Sequence, residues 1–211
     1  TPSPVKQFAL ENNIPILQPK KCTDLEVVKT LGMLNADFFI VVAFGQILDK
    51  ALLALPLHFC INLHSSLLPK YRGAAPINWS IINGETEAGI TTMKMDVGLD
   101  TGDILLAHKV PINDDDDAQS LHDTLAQKGS DLVLETLNQF DFGSLEGTSQ
   151  NLDLASYAPK LKKEDGLIQW DQPAVKIHNL VRGLMPWPGA FSFLNSKRFK
   201  ICKTEIKSCD L

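Results

Sequence analysis

Asn62 and His64 stand two positions apart at the end of an apolar run, and Asp100 stands in a glycine-flanked loop further on. Together they are the side chains of this chain best suited to chemistry. An Asn amide and an imidazolium can both donate to an oxygen on which negative charge develops. Histidine titrates near neutrality, so one ring can take a proton from an attacking amine and return one to a leaving nitrogen. Asp100 can orient and charge-stabilise that ring, or hold a water that relays protons. A transferase working on an acyl or formyl carbon uses this set, whereas a binding module has little need of it. The scheme requires neither a metal nor a covalent intermediate. No serine stands in a GxSxG turn, and Cys22, Cys60, Cys202 and Cys209 are scattered without zinc spacing.

Each residue also has a plain structural use. A histidine at a strand end often serves only as a hydrogen-bonder, asparagine there is common turn chemistry, and Asp-x-Gly is a turn signal. What matters is whether the fold brings them together. Apolar periodicity predicts helices over 4–12, from a Thr23 or Asp24 cap to 34, over 48–55, 74–83 and 119–139, the last with a weak point at Gly129. Strands are expected at 14–17, 37–44, 59–63, 90–95 and 104–110. The run DFFIVVAF at 37–44 reads as a parallel strand covered on both faces. Helices alternating with strands imply an α/β protein with a mostly parallel sheet. Residues i and i+2 of a strand share a face, so Asn62 and His64 project together from a strand end. Sites in open α/β sheets lie outside the carboxyl ends of the strands, and the VGLDTG loop can fold back over that end.

After residue 140 the character changes. Residues 141–156 are polar and Gly/Ser-rich, a surface loop; 173–184 is helical; Met185-Pro186-Trp187-Pro188-Gly189 is a turn or linker, with Trp187 packing it. Residues 190–194 and 198–203 read as a β-hairpin around Asn195-Ser196. The domain division is then 1–140 catalytic, 141–189 loop, helix and linker, and 190–211 the start of a β domain. The acidic run 114–117 reads as a solvated loop at a helix N-terminus, where the dipole favours it.

Bulk composition sets only loose bounds. The chain has 211 residues, 44% of them apolar, and a formal charge of −5. That balance does not announce a nucleic-acid partner, yet local lysines at 20–21, 160–163 and 197–200 can hold a phosphate backbone. Scattered thiols fit a reducing compartment. No apolar run is long enough to span a membrane.

The stretch INLHSSLLPKYRGAAPINWSIINGETEAGITTMKMDVGLDTGDIL resembles the signature of the 10-formyltetrahydrofolate-dependent formyltransferases, most closely their methionyl-tRNA branch. VVAFGQIL, Tyr157-Ala-Pro-Lys, KEDGLIQW and Pro186-Trp-Pro-Gly-Ala fit the same branch, so the likeness runs through essentially the whole chain. It implies a Rossmann-like formyltransferase fold followed by a linker and the start of a β-barrel-like C-terminal domain. It also implies that Asn62, His64 and Asp100 are the catalytic residues. Ser66, Leu67, Leu68 and Pro69 match the family's tetrahydrofolate segment, while Phe44, Gly45, Gln46, Ile47 and Leu48, with Val97, Gly98 and Leu99, would line the pterin pocket. Arg72 is a candidate acceptor contact.

The implied reaction moves the formyl group of 10-formyltetrahydrofolate to the amino group of methionyl initiator tRNA, in the cytoplasm or an organellar matrix. The enzyme would be a monomer with no metal and no membrane association. Against the family pattern the chain is expected to be truncated at both ends, lacking the first strand and helix, a tRNA-gripping basic loop and most of the C-terminal domain. Such a sheet would expose an otherwise buried edge. Three readings stay open beside the first: a sugar-nucleotide formyltransferase, a formyltetrahydrofolate hydrolase domain, and a catalytically silent folate- or tRNA-binding fragment.

Overall fold

The computed structural model describes residues 2–141 and 143–207. Cys209 lies outside them. The chain runs through helix α1 (Pro4–Glu11), helix α2 (Leu25–Gly32), strand β1 (Phe38–Val42), the one-turn helix α3 (Lys50–Leu53) and strand β2 (Phe59–His64). A loop leads to the two-residue strand β3 (Arg72–Gly73), helix α4 (Pro76–Ile82), and strands β4 (Glu87–Lys94) and β5 (Ile104–Pro111). Helix α5 (Ala118–Asp141), strand β6 (Tyr157–Ala158), helix α6 (Ala174–Gly183) and the hairpin β7 (Ala190–Leu194)–β8 (Lys197–Ile201) follow.

The main sheet has the order β1-β2-β4-β5. The parallel pairing lies between β1 and β2, with Val41 opposite Asn62 and Val42 opposite Leu63. β4 joins β2 antiparallel, placing Met93 opposite Asn62 and Thr91 opposite His64, and β5 joins β4 antiparallel. Within the described sheet the parallel character is thus confined to β1–β2. For β4 and β5 the reason is connection length: the short 95–103 loop can join them only as antiparallel neighbours, since a parallel return needs a crossover.

The core lies between this sheet and helices α4 and α5. Ile81, Ile90, Leu121, Leu125 and Leu132 are all but inaccessible, and Leu63, Ile77 and Leu106 pack on them. Each such burial is worth roughly 1.5–3 kcal/mol. Gly129, expected to weaken α5, instead lets the helix close on β2, because a Cβ there would lie 2.7 Å from Leu63 Cδ2. α5 begins where Asp117 Oδ1 accepts the N–H groups of Gln119 and Ser120, both at 2.9 Å, so the acidic run caps the helix.

Two expectations need correction. Residues 14–17 form no strand: Ile14 and Leu17 are half-exposed, and apolar pattern alone does not make a strand without a neighbour to share its ladder. β1 is not covered on both faces; it is an edge of the described sheet, and Ile40 and Val42 are 41% and 54% exposed. Trp187, expected to pack the linker, is half-exposed. The hairpin does form as read, with Asn195 and Ser196 at φ 49° and 63°, the left-handed pair that a two-residue turn between twisted strands requires.

Candidate active site

β2 carries Asn62 and His64 to the end of the sheet, and both line one cavity of about 350 Å³ with Phe44, Gly73 and Ala74. His64 is buried. Its Nε2 lies 2.9 Å from the Tyr71 carbonyl oxygen. A carbonyl can only accept, so Nε2 carries a proton and, in the neutral ring, Nδ1 carries the lone pair. That lone pair faces Asp100 Oδ2 at 3.8 Å. The separation is too long for a direct hydrogen bond, but it suits an ion pair once Nδ1 takes up a proton. Asp100 Oδ2 is itself held by the Gly73 N–H at 2.8 Å.

The loop that presents Asp100 is built from its own sequence. Asp96 Oδ1 accepts the Gly98 N–H at 2.9 Å and the Thr101 hydroxyl at 2.6 Å, an Asx turn that curls the chain. A Cβ on Gly102 would overlap the Lys94 carbonyl, so a glycine is needed where the loop rejoins β4. Asp100 sits at φ 53°, a left-handed conformation that aspartate tolerates better than most residues.

A second, larger cleft of about 560 Å³ opens beside the first and shares Asn62, Gly73 and Ala74 with it. Phe44, Gly45, Gln46, Ile47 and Leu48 line it on one side and Val97, Gly98, Leu99 and Asp100 on another. Gln46 anchors the first of these loops, its Oε1 accepting the Cys22 N–H at 2.8 Å. Phe44, Ile47, Val97 and Leu99 present exposed apolar surface at its rim.

Ser66, Leu67, Leu68 and Pro69 are not brought to this cleft. Ser66 and Leu68 are buried against β4, where the Thr91 hydroxyl donates to the Ser66 carbonyl at 2.7 Å and accepts the Leu68 N–H at 3.3 Å. Ser66, Leu67 and Pro69 line a separate pocket of about 320 Å³ with Lys70, Glu85 and Lys109. The segment turns back over β4 as it leaves β2, and its structural effect is to carry the Tyr71 carbonyl to His64. Arg72, the candidate acceptor contact, borders the larger cleft but is itself buried. It is 2% exposed, and its Nε and Nη2 donate to Gln150 Oε1 at 3.1 and 2.7 Å. Gln150 had no signal in the sequence; it lies in a polar stretch that reads as a surface loop. Among the described residues no group of three His, Cys, Asp or Glu side chains is placed to hold a metal, and no helix is long and apolar enough to cross a membrane.

This α/β fold, with a histidine and a carboxylate facing each other at the end of the sheet, belongs to the formyl transferase family: the family model for formyl transferase matches residues 1–137, and that for its C-terminal domain matches residues 160–210. Among curated relatives, the methionyl-tRNA formyltransferase of Geobacter metallireducens is 55% identical over 97% of this chain and 66% of its own length. That of Caldanaerobacter subterraneus subsp. tengcongensis is 51% identical with the same coverage. The chain thus spans just under two thirds of the length of such relatives. Among solved structures, a sugar N-formyltransferase from Shewanella superposes with a TM-score of 0.76 at 21% identity, over 99% of this chain and 82% of that one. The sugar 3N-formyl transferase WlaRD, solved in the presence of dTDP and 5-N-formyl-THF, gives a TM-score of 0.73 at 25% identity, over 94% and 68%.

Proposed function

We propose that this protein transfers the formyl group of 10-formyltetrahydrofolate to the amino group of methionyl initiator tRNA. The observation that carries the reading is the meeting of Asn62, His64 and Asp100 where the two clefts join, in a chain more than half identical to proteins named for that reaction. The flat pterin suits the larger cleft, whose apolar rim residues would be covered by it and whose backbone groups can meet its polar edge. The formyl carbon then lies near Asn62, whose amide donates to the formyl oxygen as it gains negative charge. The amine of the acceptor attacks that carbon, and a new C–N bond forms. Nδ1 of His64 accepts the proton the amine loses, and Asp100 stabilises the resulting imidazolium. The bond to N10 of the folate breaks, and N10 leaves with a proton returned by His64.

In this reading residues 1–140 form the catalytic domain, 141–189 a loop, helix and linker, and 190–211 belong to the C-terminal β domain. The protein acts as a monomer in the cytoplasm or an organellar matrix, away from membranes. The free thiols of Cys22, Cys60 and Cys202 support a reducing compartment.

Release of tetrahydrofolate, followed with and without methionyl-tRNA, tests the reading. Release that requires methionyl-tRNA supports it. Release without any acceptor indicates a hydrolase, release with a dTDP-amino sugar indicates the sugar reading, and binding without release indicates a silent folate module.

A further inference from the structure

Asp100 holds a left-handed backbone conformation, φ 53°, and something must keep it there. Its side chain is held from β3 by the Gly73 N–H. Its backbone is held by one amide group that comes from far along the chain. Gln150 Nε2 donates to the carbonyl of Asp100 at 2.9 Å and to that of Gly102 at 2.7 Å, spending both its hydrogens on the turn that presents the carboxylate. The other end of the same amide, Oε1, accepts two hydrogen bonds from the buried Arg72. The orientation of the amide is therefore unambiguous: a guanidinium can only donate and a carbonyl can only accept.

The same stretch of chain also reaches His64. The Tyr71 N–H donates to Ser156 Oγ at 2.9 Å and the Arg72 N–H to the Ser156 carbonyl at 2.8 Å, which seats the Tyr71 carbonyl that receives Nε2 of His64. Residues 150 and 156 lie between the two segments that the family models match.

We propose that Gln150, clamped by Arg72, is a positioning residue that sets the Asp100 carboxylate against His64. The inference rests on the proposed function, in which Asp100 stabilises the His64 imidazolium. Gln150 touches no reacting atom; it acts through Asp100 alone. Glutamate at this position separates the two halves of the clamp. It keeps and strengthens the contact with Arg72, but it has no hydrogens for the Asp100 and Gly102 carbonyls and repels both.

The test is a double-mutant cycle in the protein at its full natural length, with Gln150→Glu, Asp100→Asn and the double variant. Formyl transfer, thermal unfolding and the amide proton shift of Gly73 are measured for each. Gln150→Glu is expected to lower kcat at least tenfold with the folate KM changed less than threefold. The Gly73 resonance should move upfield as its carboxylate acceptor withdraws. In the Asp100→Asn background the same change should cost less than threefold, because its route of action is already removed. Full turnover in Gln150→Glu beside a crippled Asp100→Asn overturns the inference and leaves the proposed function standing. Full turnover in Asp100→Asn overturns the proposed function itself. Should Gln150→Glu not fold, Gln150→Met enters the same cycle. Rate losses that are additive with Asp100→Asn, or that follow loss of folding in both variants, make Gln150 a general prop and overturn the inference.

Discussion

Gly73 joins the site to the fold, and its replacement by alanine has a cost that can be worked out. Its φ is +113°, and a Cβ there would lie 2.9 Å from the carbonyl oxygen of Ala158. The backbone conformation alone costs an L-residue of order 1–3 kcal/mol. The overlap is with backbone, so it cannot be relieved by turning a side chain. That carbonyl already accepts the N–H groups of Ala74 at 2.8 Å and Ala75 at 3.2 Å. Pushing it aside weakens two hydrogen bonds, each worth roughly 1 kcal/mol net. Together these give a destabilisation of about 3–5 kcal/mol, a large fraction of a domain's total stability. Gly143→Ala is the natural comparison. Gly143 has φ +67°, within the left-handed region, and no atom within 4 Å of the added Cβ, so its replacement should cost only about 1 kcal/mol. Urea unfolding of the two variants reads the difference. Formyl transfer should also fall in Gly73→Ala, because the N–H that holds Asp100 Oδ2 moves with the backbone. If Gly73→Ala unfolds within about 0.5 kcal/mol of Gly143→Ala and keeps its rate, the packing argument is refuted.

Other outcomes follow from the same geometry. His64→Ala and Asp100→Asn should each lower kcat by about 10²–10⁴-fold while leaving folate affinity nearly unchanged, the signature of groups that act on proton transfer rather than binding; a parallel loss of folate affinity would contradict that split. Burial pushes the Cys60 thiol up to about 11, and burial, with Glu85 adding to it, pushes the Tyr71 phenol up to about 12. Both groups hold their protons more tightly folded than unfolded. Their stabilisation is complete below pH 9 and is lost as pH rises toward 11 and beyond, so the urea midpoint should drop between pH 9 and 11, and a flat profile there would count against it. Alkylation at pH 8 followed by peptide mass analysis should modify exposed Cys202 and spare Cys60; equal labelling of the two would contradict their placement.

What could be read from the sequence was local or periodic. The i, i+2 spacing of Asn62 and His64 follows from strand geometry, and they do share a cavity. The turns at Asp96–Thr101 and Asn195-Ser196 are written in residues that form them without help from elsewhere. What stayed hidden depends on contacts between distant parts of the chain. Arg72 and Gln150 are ordinary polar residues until β3 and β6 pair and bury the guanidinium. Residues 14–17 have a strand's composition but no neighbour to bond, and the apolar run of β1 says nothing about which of its faces is covered. Nor does the sequence show that Ser66 and Leu68 bond the Thr91 side chain of β4, a contact between segments more than twenty residues apart.

The site is thus held from two sides. From one, the 66–71 loop carries the Tyr71 carbonyl to Nε2 of His64, which leaves Nδ1 facing Asp100. From the other, the Gly73 N–H and the Gln150 amide hold Asp100 at its carboxylate and its backbone. In the proposed reaction, where a proton leaves an amine and returns to another nitrogen, Asp100 so held would stabilise the His64 imidazolium.

The most direct test of that claim follows the formyl group itself. The protein at its full natural length is given 10-formyltetrahydrofolate labelled in the formyl carbon, together with methionyl initiator tRNA, beside a His64→Ala control. Label in N-formylmethionine released from the tRNA, formed by the parent protein and reduced at least a hundredfold in the control, is the predicted result. Label recovered as free formate, or transfer at an equal rate without His64, would contradict the account.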